Sequence, residues 1–210
     1  MIKIENARVD GFQEAIRGCR NSWDSHEKSD SGMYDGNFRM GNADHMLLLR
    51  LVQSGDCHAK CMRMVTVWFD LTAPRYFWTQ FDTYKYLVRC SESTMHTITR
   101  RPLKLEDFEI DEQDGASELF TKAFAVILDM VNTMRRRYTE EGNAVAKRVW
   151  WRRIIKLLPQ SYMQKSTICT NYQTLRNMYI WRKDHKLSEW SDFCSWVKTL
   201  PYSELITGEE

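Results

Sequence analysis

Apolar residues recur at helical spacing most regularly in the second half of the chain. Between Leu119 and Tyr138 an apolar side chain follows every three or four residues, which is the period of an amphipathic helix. This stripe consists of Phe120, Phe124, Ile127, Val131 and Met134, and it is widened by Ala123, Val126 and Met130. A helix that is apolar over so much of its circumference is predicted to be central to the fold. A second helix is predicted from Asn143 to Leu158, because Pro159 stops it.

The rest of the chain mixes further helices with strands. Helical patterns occupy residues 11–20, 42–53, 75–85, 171–184 and 186–198. Alternation of apolar and polar positions predicts strands over 2–9 and 64–71. Residues 21–41 are polar and rich in turn formers, so we expect a long loop there, and residues 86–100 are expected to be irregular. No repeat or domain boundary is visible, and the length suits a single domain over residues 1–210.

Charge is balanced over the whole chain but not along it. The sequence has 30 Lys and Arg residues against 28 Asp and Glu, a formal net charge of +2. This balance argues against a strongly basic nucleic-acid coat, so no direct binding of nucleic acid is expected. Residues 104–118 are rich in acids and predict a solvated connector, whereas residues 135–156 are rich in bases. The basic stretch suits an anionic ligand and solvated helix faces equally well, and both interpretations stay open.

The hydropathy of the chain predicts its cellular location, and the location in turn predicts the redox state of its cysteines. The longest apolar run, Ala123 to Leu128, is far shorter than the roughly 20 residues of a membrane span, and no signal peptide is recognisable at the N-terminus. A cytoplasmic location with no membrane partner is therefore predicted. The six cysteines are then expected to be free thiols. Cys57, His58 and Cys61 resemble half of a metal site, but a second ligand pair is missing, so no metal is predicted.

Two polar features are candidates for chemistry. The tract from Asp82 to His96 gathers hydroxyl groups, a Lys, an Arg and a His, which predicts either a phosphate or nucleotide pocket or a solvated loop. Farther along, Asn171 and Arg182 are eleven residues apart, so a continuous helix would place both on one face, about 20° from each other. The alternative is an ordinary amphipathic helix whose Arg side chain extends to the solvent.

The order of several short motifs is familiar. A segment Ser54-Gly-Asp-Cys-His58 precedes the strand that ends at Leu71, and Pro74-Arg75 follows it. Next come Gln80, then Thr83-Tyr84-Lys85, then Ser91-Glu92-Ser93-Thr94-Met95-His96. The later motifs are Leu158-Pro159, Thr170-Asn171-Tyr-Gln-Thr-Leu175 and Trp181-Arg182. Over roughly residues 45–200 this succession resembles the flavin-dependent thymidylate synthases, also called thymidylate synthase complementing proteins.

The motifs themselves depart from the family pattern. Thr83 and Lys85 stand where the Arg-His-Arg signature has its two arginines, and Met95 stands where Glu-x-Ser-x-Arg-Tyr has its Arg. Gln173 replaces the Arg of Thr-x-Asn-x-Arg-x-Leu, and Ile155 occupies the position of another expected Arg. The resemblance therefore suggests a divergent member.

The resemblance implies an α+β fold with an antiparallel or mixed sheet, a central long helix and flanking helices. It also implies a homotetramer whose active sites lie between subunits. In that family FAD stacks beside dUMP, methylene tetrahydrofolate donates the carbon and NADPH reduces the flavin. The implied activity is thus the reductive methylation of dUMP to dTMP, in which no protein thiol attacks the uracil.

The resemblance also assigns roles to individual residues. Arg182 would be catalytic, because it would face the uracil carbonyls and stabilise the charge that develops there. The implied cofactor-binding residues are Tyr84, Lys85, Asn171, His185 and Lys186. The implied substrate-binding residues are Gln80, Ser91, Glu92, Ser93 and Arg153.

Two other functions stay open. The loss of the signature arginines suits a nucleotide-binding homologue that has lost flavin chemistry and acts in binding or regulation, since flavin phosphates are usually held by such planar forks. A helical interaction protein that uses its eight Trp residues at surfaces is the third interpretation.

Overall fold

The structure is a computed structural model that describes residues 1–208. Its strands are β1 (Lys3–Asp10), β2 (Gly32–Tyr34), β3 (Asn37–Arg39), β4 (Thr66–Pro74), β5 (Val88–Ser91) and β6 (Met163–Asn171). Four strands form one sheet in the order β1-β4-β6-β5. The other two strands, β2 and β3, form an antiparallel hairpin in which Gly32 lies opposite Arg39 and Tyr34 opposite Asn37. The mixture of helices and sheet confirms the predicted α+β class.

The helices account for most of the remaining chain. In order they are α1 (Phe12–Asn21), α2 (Asn42–Gln53), α3 (Arg75–Phe81), α4 (Thr94–Thr97), α5 (Glu112–Ala116), α6 (Glu118–Glu140), α7 (Ala144–Leu157), α8 (Tyr172–Arg182), α9 (Ser188–Val197) and α10 (Glu204–Thr207). Short 3-10 turns occur at His26–Lys28, Lys60–Arg63 and Leu105–Asp107. No helix of residues 1–208 combines the length and the apolar character needed to cross a bilayer.

Several predicted boundaries agree with the structure, and others shift for local reasons. The predicted bounds of α2 are those observed. Gly11 has a φ of 98° and stands before α1, so that helix begins at Phe12. α3 ends at Phe81 instead of Lys85, and residues 82–86 form turns, in which Tyr86 has a φ of 63°. α7 begins after Asn143, whose side-chain oxygen accepts hydrogen bonds from the first free backbone N–H groups.

Strand β6 has no counterpart among the predicted elements. Its buried positions are Ser166, Ile168 and Thr170, which alternate as in a strand. Because two of the three are hydroxyl residues, the apolar alternation that signals a strand is absent from the sequence.

The predicted long loop over residues 21–41 is wrong in part, because it contains the β2–β3 hairpin and a 3-10 turn. A buried ion pair between Arg20 and Asp44 organises it. The Asp44 carboxylate also accepts hydrogen bonds from the Ser29 hydroxyl, at 2.7 Å, and from the Ser31 backbone N–H, at 3.1 Å. The Arg20 guanidinium donates to the carbonyl oxygens of two residues of the loop, Ser25 and Lys28. The segment predicted as irregular over 86–100 likewise contains β5 and α4.

Helix α6 buries one side of its apolar surface. The predicted stripe of Phe120, Phe124, Ile127, Val131 and Met134 belongs to a single hydrophobic cluster. The positions that were expected to widen the stripe, Ala123, Val126 and Met130, are exposed, however. Leu119, at the start of the helix, is exposed as well. Leu119, Val126 and Met130 lie about 140° around the helix from Phe124. The apolar surface of the helix is therefore wide, and only the side that carries Phe124 is covered.

Residues 1–208 group into two compact units. One consists of Met1, Thr72–Phe81 and Ser91–Ser166, and the other of Ile2–Leu71, Asp82–Cys90 and the chain from Thr167 onward. In the first unit α6 and α7 pack around Phe108, Ile154 and Tyr162. In the second unit Phe69 contacts Phe193 and Trp196. The single domain over residues 1–210 stays a prediction.

Candidate active site

Arg182, the last residue of α8, lies over two aromatic rings. Its Nε donates a hydrogen bond to the Tyr84 hydroxyl at 2.8 Å. Its guanidinium carbon is 5.5 Å from the centre of the Tyr84 ring and 4.8 Å from that of Trp190. Both distances suit cation–π attraction, which is stronger for Trp than for other rings. The cation predicted to be catalytic is thus held in one orientation by its neighbours.

Trp190 and His185 complete this cluster. Trp190, on α9, is fully buried, and its ring centre is 6.1 Å from that of Tyr84 and 6.3 Å from that of His185. The His185 backbone N–H donates to the Arg182 carbonyl at 3.0 Å, and the Leu187 N–H donates to His185 Nδ1 at 3.1 Å. Because Nδ1 is the acceptor, the neutral imidazole carries its proton on Nε2. We call Tyr84, Arg182, His185 and Trp190 the Arg182 cluster.

The loop that carries Tyr84 is held by threonine hydroxyl groups. Thr170 Oγ1 donates to the Tyr86 carbonyl and Thr174 Oγ1 to the Lys85 carbonyl, both at 3.4 Å. An ion pair of 3.2 Å between Arg89 and Asp82 joins the two ends of the loop. Tyr86 has a left-handed backbone, a conformation that costs free energy for a residue other than glycine and persists only where surrounding contacts hold it. The position of Tyr84 is therefore set by β6 and α8.

Two exposed lysines adjoin the Arg182 cluster in the chain. Lys85 follows Tyr84, and Lys186 follows His185. Among residues 1–208 neither forms an ion pair. Two ammonium groups without an ion-pair partner, each one residue from a member of the cluster, suit a ligand that combines a ring system with phosphates, such as FAD.

Asn171 stands at the start of α8, in a role that the helical spacing did not predict. Its side-chain oxygen accepts a hydrogen bond from the Thr174 N–H at 2.9 Å, so it caps the helix. The backbone of Asn171 is extended, with a φ of −138°, and the helix itself begins only at Tyr172. The helical rotation of 100° per residue therefore does not include Asn171. The expectation that Asn171 and Arg182 share one helix face is therefore wrong. The amide nitrogen of Asn171 has no partner within the described chain and remains a donor for a ligand.

The predicted substrate-binding residues lie on other elements. Gln80 is half-buried on α3, and Ser91, Glu92 and Ser93 are exposed where β5 leads into α4. The Glu92 N–H donates to the Lys165 carbonyl at 2.9 Å, which fixes this segment beside β6. Arg153 is exposed on α7.

Arg153 has a local partner of its own. Its guanidinium lies 4.7 Å from the centre of the Trp150 ring. Direct contacts thus join the members of the Arg182 cluster, whereas no hydrogen bond or ion pair of the described residues joins Arg153 to the segment from Ser91 to Ser93.

Part of the basic stretch lines a cleft that the sequence did not single out. The cleft has a volume of about 410 Å³, and its walls include Met95, His96, Tyr138, Lys147, Arg148 and Trp151. Lys147 Nζ lies 4.9 Å from the centre of the Tyr138 ring, and Trp151 Nε1 donates to the Met95 carbonyl. Two cations thus lie close to Met95, where the family pattern has an Arg. The excess of bases over 135–156 was the only signal for them in the sequence.

The acidic segment over 104–118 is a structural connector. Asp107 pairs with Arg101 through both carboxylate oxygens and accepts a hydrogen bond from the Lys104 N–H. The hydrogen bond from Arg101 is the largest influence, and it holds the pKa of Asp107 below its usual value despite partial burial. Among residues 1–208 no group of three or more His, Cys, Asp or Glu residues is arranged to hold a metal ion.

Comparison with solved structures shows where this fold occurs. Thymidylate synthase X (ThyX) from Helicobacter pylori, solved with FAD and dUMP, superimposes with a TM-score of 0.72 over 100% of this chain and 98% of its own, at 16% sequence identity. A second complex of that flavin-dependent enzyme with FAD and dUMP gives a TM-score of 0.70 at 17% identity, over 99% and 98% of the two chains. The chain has the fold of the flavin-dependent thymidylate synthases. The resemblance inferred from the motif order is thereby confirmed for the fold.

A third similar structure has a related substrate. The UMP/dUMP methylase PolB from Streptomyces cacaoi, bound with 5-Br UMP, gives a TM-score of 0.65 at 14% identity, over 99% of this chain and 95% of its own. No protein-family model matches the sequence, and no curated protein matches it. The similarity to these three structures is therefore a similarity of fold, and in each comparison it extends over nearly the whole length of the two chains.

Proposed function

We propose that the protein is a divergent flavin-dependent thymidylate synthase that methylates dUMP to dTMP with FAD, methylene tetrahydrofolate and NADPH. The observation that carries this proposal is the Arg182 cluster, a guanidinium oriented by Tyr84 and Trp190 in a fold whose solved examples bind FAD and uridine nucleotides.

Arg182 would act on the uracil ring. Reduction and methylation of the ring place negative charge on a carbonyl oxygen, and a guanidinium held beforehand stabilises such charge without reorganising. The contact with Trp190 and the hydrogen bond to Tyr84 already restrict Arg182 to few rotamers. Its side chain therefore loses little conformational entropy when a ligand binds. The Nε2–H of His185 would be a second donor at this side of the cluster.

The cofactor would be held by residues of the same cluster and its neighbours. Lys85 and Lys186 would neutralise its phosphates as point charges, and the amide nitrogen of Asn171 and the ring of Tyr84 would contact its ring systems. Bound flavin would supply the hydride, while methylene tetrahydrofolate supplies the carbon and NADPH the reducing equivalents.

The nucleotide would be bound by the remaining predicted residues. Ser91, Ser93 and Gln80 would donate hydrogen bonds to it, Glu92 would accept one, and Arg153 would face its phosphate. The cations Lys147 and Arg148, which line the cleft beside Met95, support phosphate binding where the family Arg is missing.

A homotetramer belongs to the same proposal, because the resemblance implies shared sites between subunits. The exposed apolar face of α6 supports a subunit interface, since Leu119 is 81% exposed and Val126 is 59% exposed. The cytoplasmic location stays a prediction.

The visible spectrum of the purified protein tests this function directly. We expect the absorption of bound oxidised flavin, and we expect dUMP to be converted to dTMP only when methylene tetrahydrofolate and NADPH are both present. A colourless protein that binds no added FAD would rule out the synthase reaction.

A nucleotide-binding homologue without flavin chemistry is the alternative function. It is favoured by Thr83 and Lys85, because neither can form the planar, bidentate fork by which Arg binds phosphate. Calorimetry separates the two functions: the alternative predicts that dUMP binds, that FAD does not, and that Ser93→Ala weakens dUMP binding. If neither compound binds, both functions are wrong.

A further inference from the structure

Three of the six cysteines line one cleft, which the proposed function does not use. The cleft has a volume of about 410 Å³ and lies in the second compact unit. Cys19 comes from α1, Cys61 from the 3-10 turn Lys60–Arg63, and Cys57 from the turn before it. Cys57 is exposed, Cys19 is half-buried and Cys61 is 6% exposed. The thiols are therefore reachable from the solvent through the cleft.

Cys19 and Cys61 lie on two elements that pack against each other, α1 and the 3-10 turn Lys60–Arg63, and both side chains line the cleft. Although 42 positions separate them in the sequence, a side-chain hydrogen bond between the two thiols is the largest influence on the pKa of each. Cys57, the third thiol of the cleft, takes no part in the hydrogen bond.

The two thiols differ chemically. The hydrogen bond from Cys19 is the largest influence on Cys61, and together with backbone hydrogen bonds from Met62 and Cys61 itself it lowers the pKa of the Cys61 thiol in spite of burial. The same hydrogen bond, with burial, raises the pKa of Cys19. Lys60 also lines the cleft, and a cation favours a thiolate. Cys61 is thus suited to be the nucleophile, and Cys19 keeps its proton.

We propose that Cys19 and Cys61 are a redox-active thiol pair that a hydroperoxide converts to an intramolecular disulfide. The Cys61 thiolate attacks the terminal peroxide oxygen, the O–O bond breaks, and the leaving alkoxide or hydroxide takes up a proton, which gives Cys61 sulfenic acid. The Cys19 sulfur then displaces water from Cys61 and loses its proton. In sum two thiols lose two electrons, and the peroxide is reduced to water and an alcohol, or to two waters.

Peptide mapping of the full-length protein tests the pairing. The reduced protein is treated with one equivalent of hydrogen peroxide, denatured, alkylated with N-ethylmaleimide and digested with trypsin. Cleavage after Arg17, Arg20, Arg50, Lys60 and Arg63 places the three thiols on separate peptides. We expect four alkylated cysteines instead of six and a disulfide between peptides 18–20 and 61–63. Alkylation of all six, or a disulfide that includes Cys57, overturns the proposal.

Variants then assign the roles of the two sulfurs. Cys57→Ser is the matched control and should leave the disulfide unchanged, whereas Cys19→Ser and Cys61→Ser should each abolish it. In the double variant Cys19→Ser, Cys57→Ser the sulfenic acid has no resolving thiol in the cleft, so dimedone should label Cys61. Labelling at Cys19 in a Cys61→Ser variant would contradict the assigned nucleophile. Should a variant fail to fold, the peptide map of the wild-type protein still decides the pairing.

Discussion

Arg182 makes two contacts that can be separated experimentally. The hydrogen bond to Tyr84 depends on Nε, and the stacking on Trp190 depends on the planar guanidinium. A lysine at this position would keep the charge but would lose the Nε–H donor and the planar fork, because its ammonium is a point charge at the end of an unbranched chain. The activity should therefore depend on the guanidinium group of Arg182 and not only on its positive charge.

We expect Arg182→Lys to lower kcat about 10²–10³-fold, which is the usual cost of removing one preorganised donor to a developing oxyanion. The control Tyr84→Phe removes only the hydroxyl partner and should cost far less. Steady-state kinetics with dUMP would measure both. If the Arg182→Lys variant converts dUMP at nearly the wild-type rate, the catalytic role assigned to Arg182 is wrong.

Gln173 is a buried amide without partners. It is 5% exposed, and within residues 1–208 neither its Nε2 nor its Oε1 has a hydrogen-bond partner. Such a group pays for desolvation without compensation. We expect Gln173→Met to raise the free energy of unfolding by about 1 kcal/mol.

Gln164 is the matched control for that substitution, because its Nε2 donates to the Glu92 carbonyl. Gln164→Met should therefore lower stability. Urea unfolding of the two variants would compare them directly, and a destabilising Gln173→Met would mean that its amide is satisfied by bound water.

Helix α8 links stability and ligand binding at the element scale through Asn171. The side-chain oxygen of Asn171 caps the helix, while its nitrogen is the proposed donor to the cofactor. Asn171→Ala should lower the free energy of unfolding by about 1 kcal/mol, because the cap is lost. Asn171→Asp retains the accepting oxygen but has no N–H group, so it should preserve the melting temperature and weaken FAD binding. Unchanged FAD affinity in Asn171→Asp would contradict the cofactor role.

The segment between α1 and α2 depends on the pair Arg20–Asp44. Burial alone raises the pKa of Asp44, but hydrogen bonds from Ser31 and Ser29, with the hydrogen bond and charge of Arg20, hold it below its ordinary value. A lowered folded-state pKa means that this stabilisation is complete above the unfolded value of about 3.9 and is lost as pH falls through the folded value.

We expect Asp44→Asn to destabilise the protein at pH 7 by about 3 kcal/mol or more, because the buried Arg20 charge is left uncompensated. The variant should also lose less stability than the wild-type protein when the pH is lowered from neutral to below 4. Asp129→Asn, on the exposed side of α6, is the control and should change neither quantity. Unfolding in urea at several pH values measures both, and equal pH slopes for wild type and Asp44→Asn would contradict this role.

At the scale of the whole molecule, the uncovered face of α6 is the feature that an assembly would bury. Leu119, Val126 and Met130 follow one another along that face. We expect the protein to have four times its chain mass of 25.0 kDa in analytical ultracentrifugation, and Val126→Glu to dissociate it.

Thr139→Glu, at an exposed polar position of α6, is the matched control and should leave the assembly intact. A monomer at all concentrations in the wild-type protein would contradict the tetramer, and an intact tetramer in Val126→Glu would exclude this face as its interface.

The elements whose signal is local could be predicted from the sequence. The bounds of α2, the covered stripe of α6 and the end of α7 at Leu157, two residues before Pro159, follow from apolar period and stop signals that a few neighbouring residues contain. The order of motifs from Gln80 to Arg182 likewise pointed to the fold that the structure has.

Features that depend on residues far apart in the sequence could be recognised only in the folded chain. Strand β6 is buried through Ser166 and Thr170, and the segment over 21–41 is ordered by an ion pair, so neither has an apolar pattern to detect. The Arg182 cluster joins three separate segments, and the hydrogen bond between Cys19 and Cys61 depends on how α1 packs. A side chain acquires such partners only when the chain folds, because sequence spacing specifies neighbours within an element and not across elements.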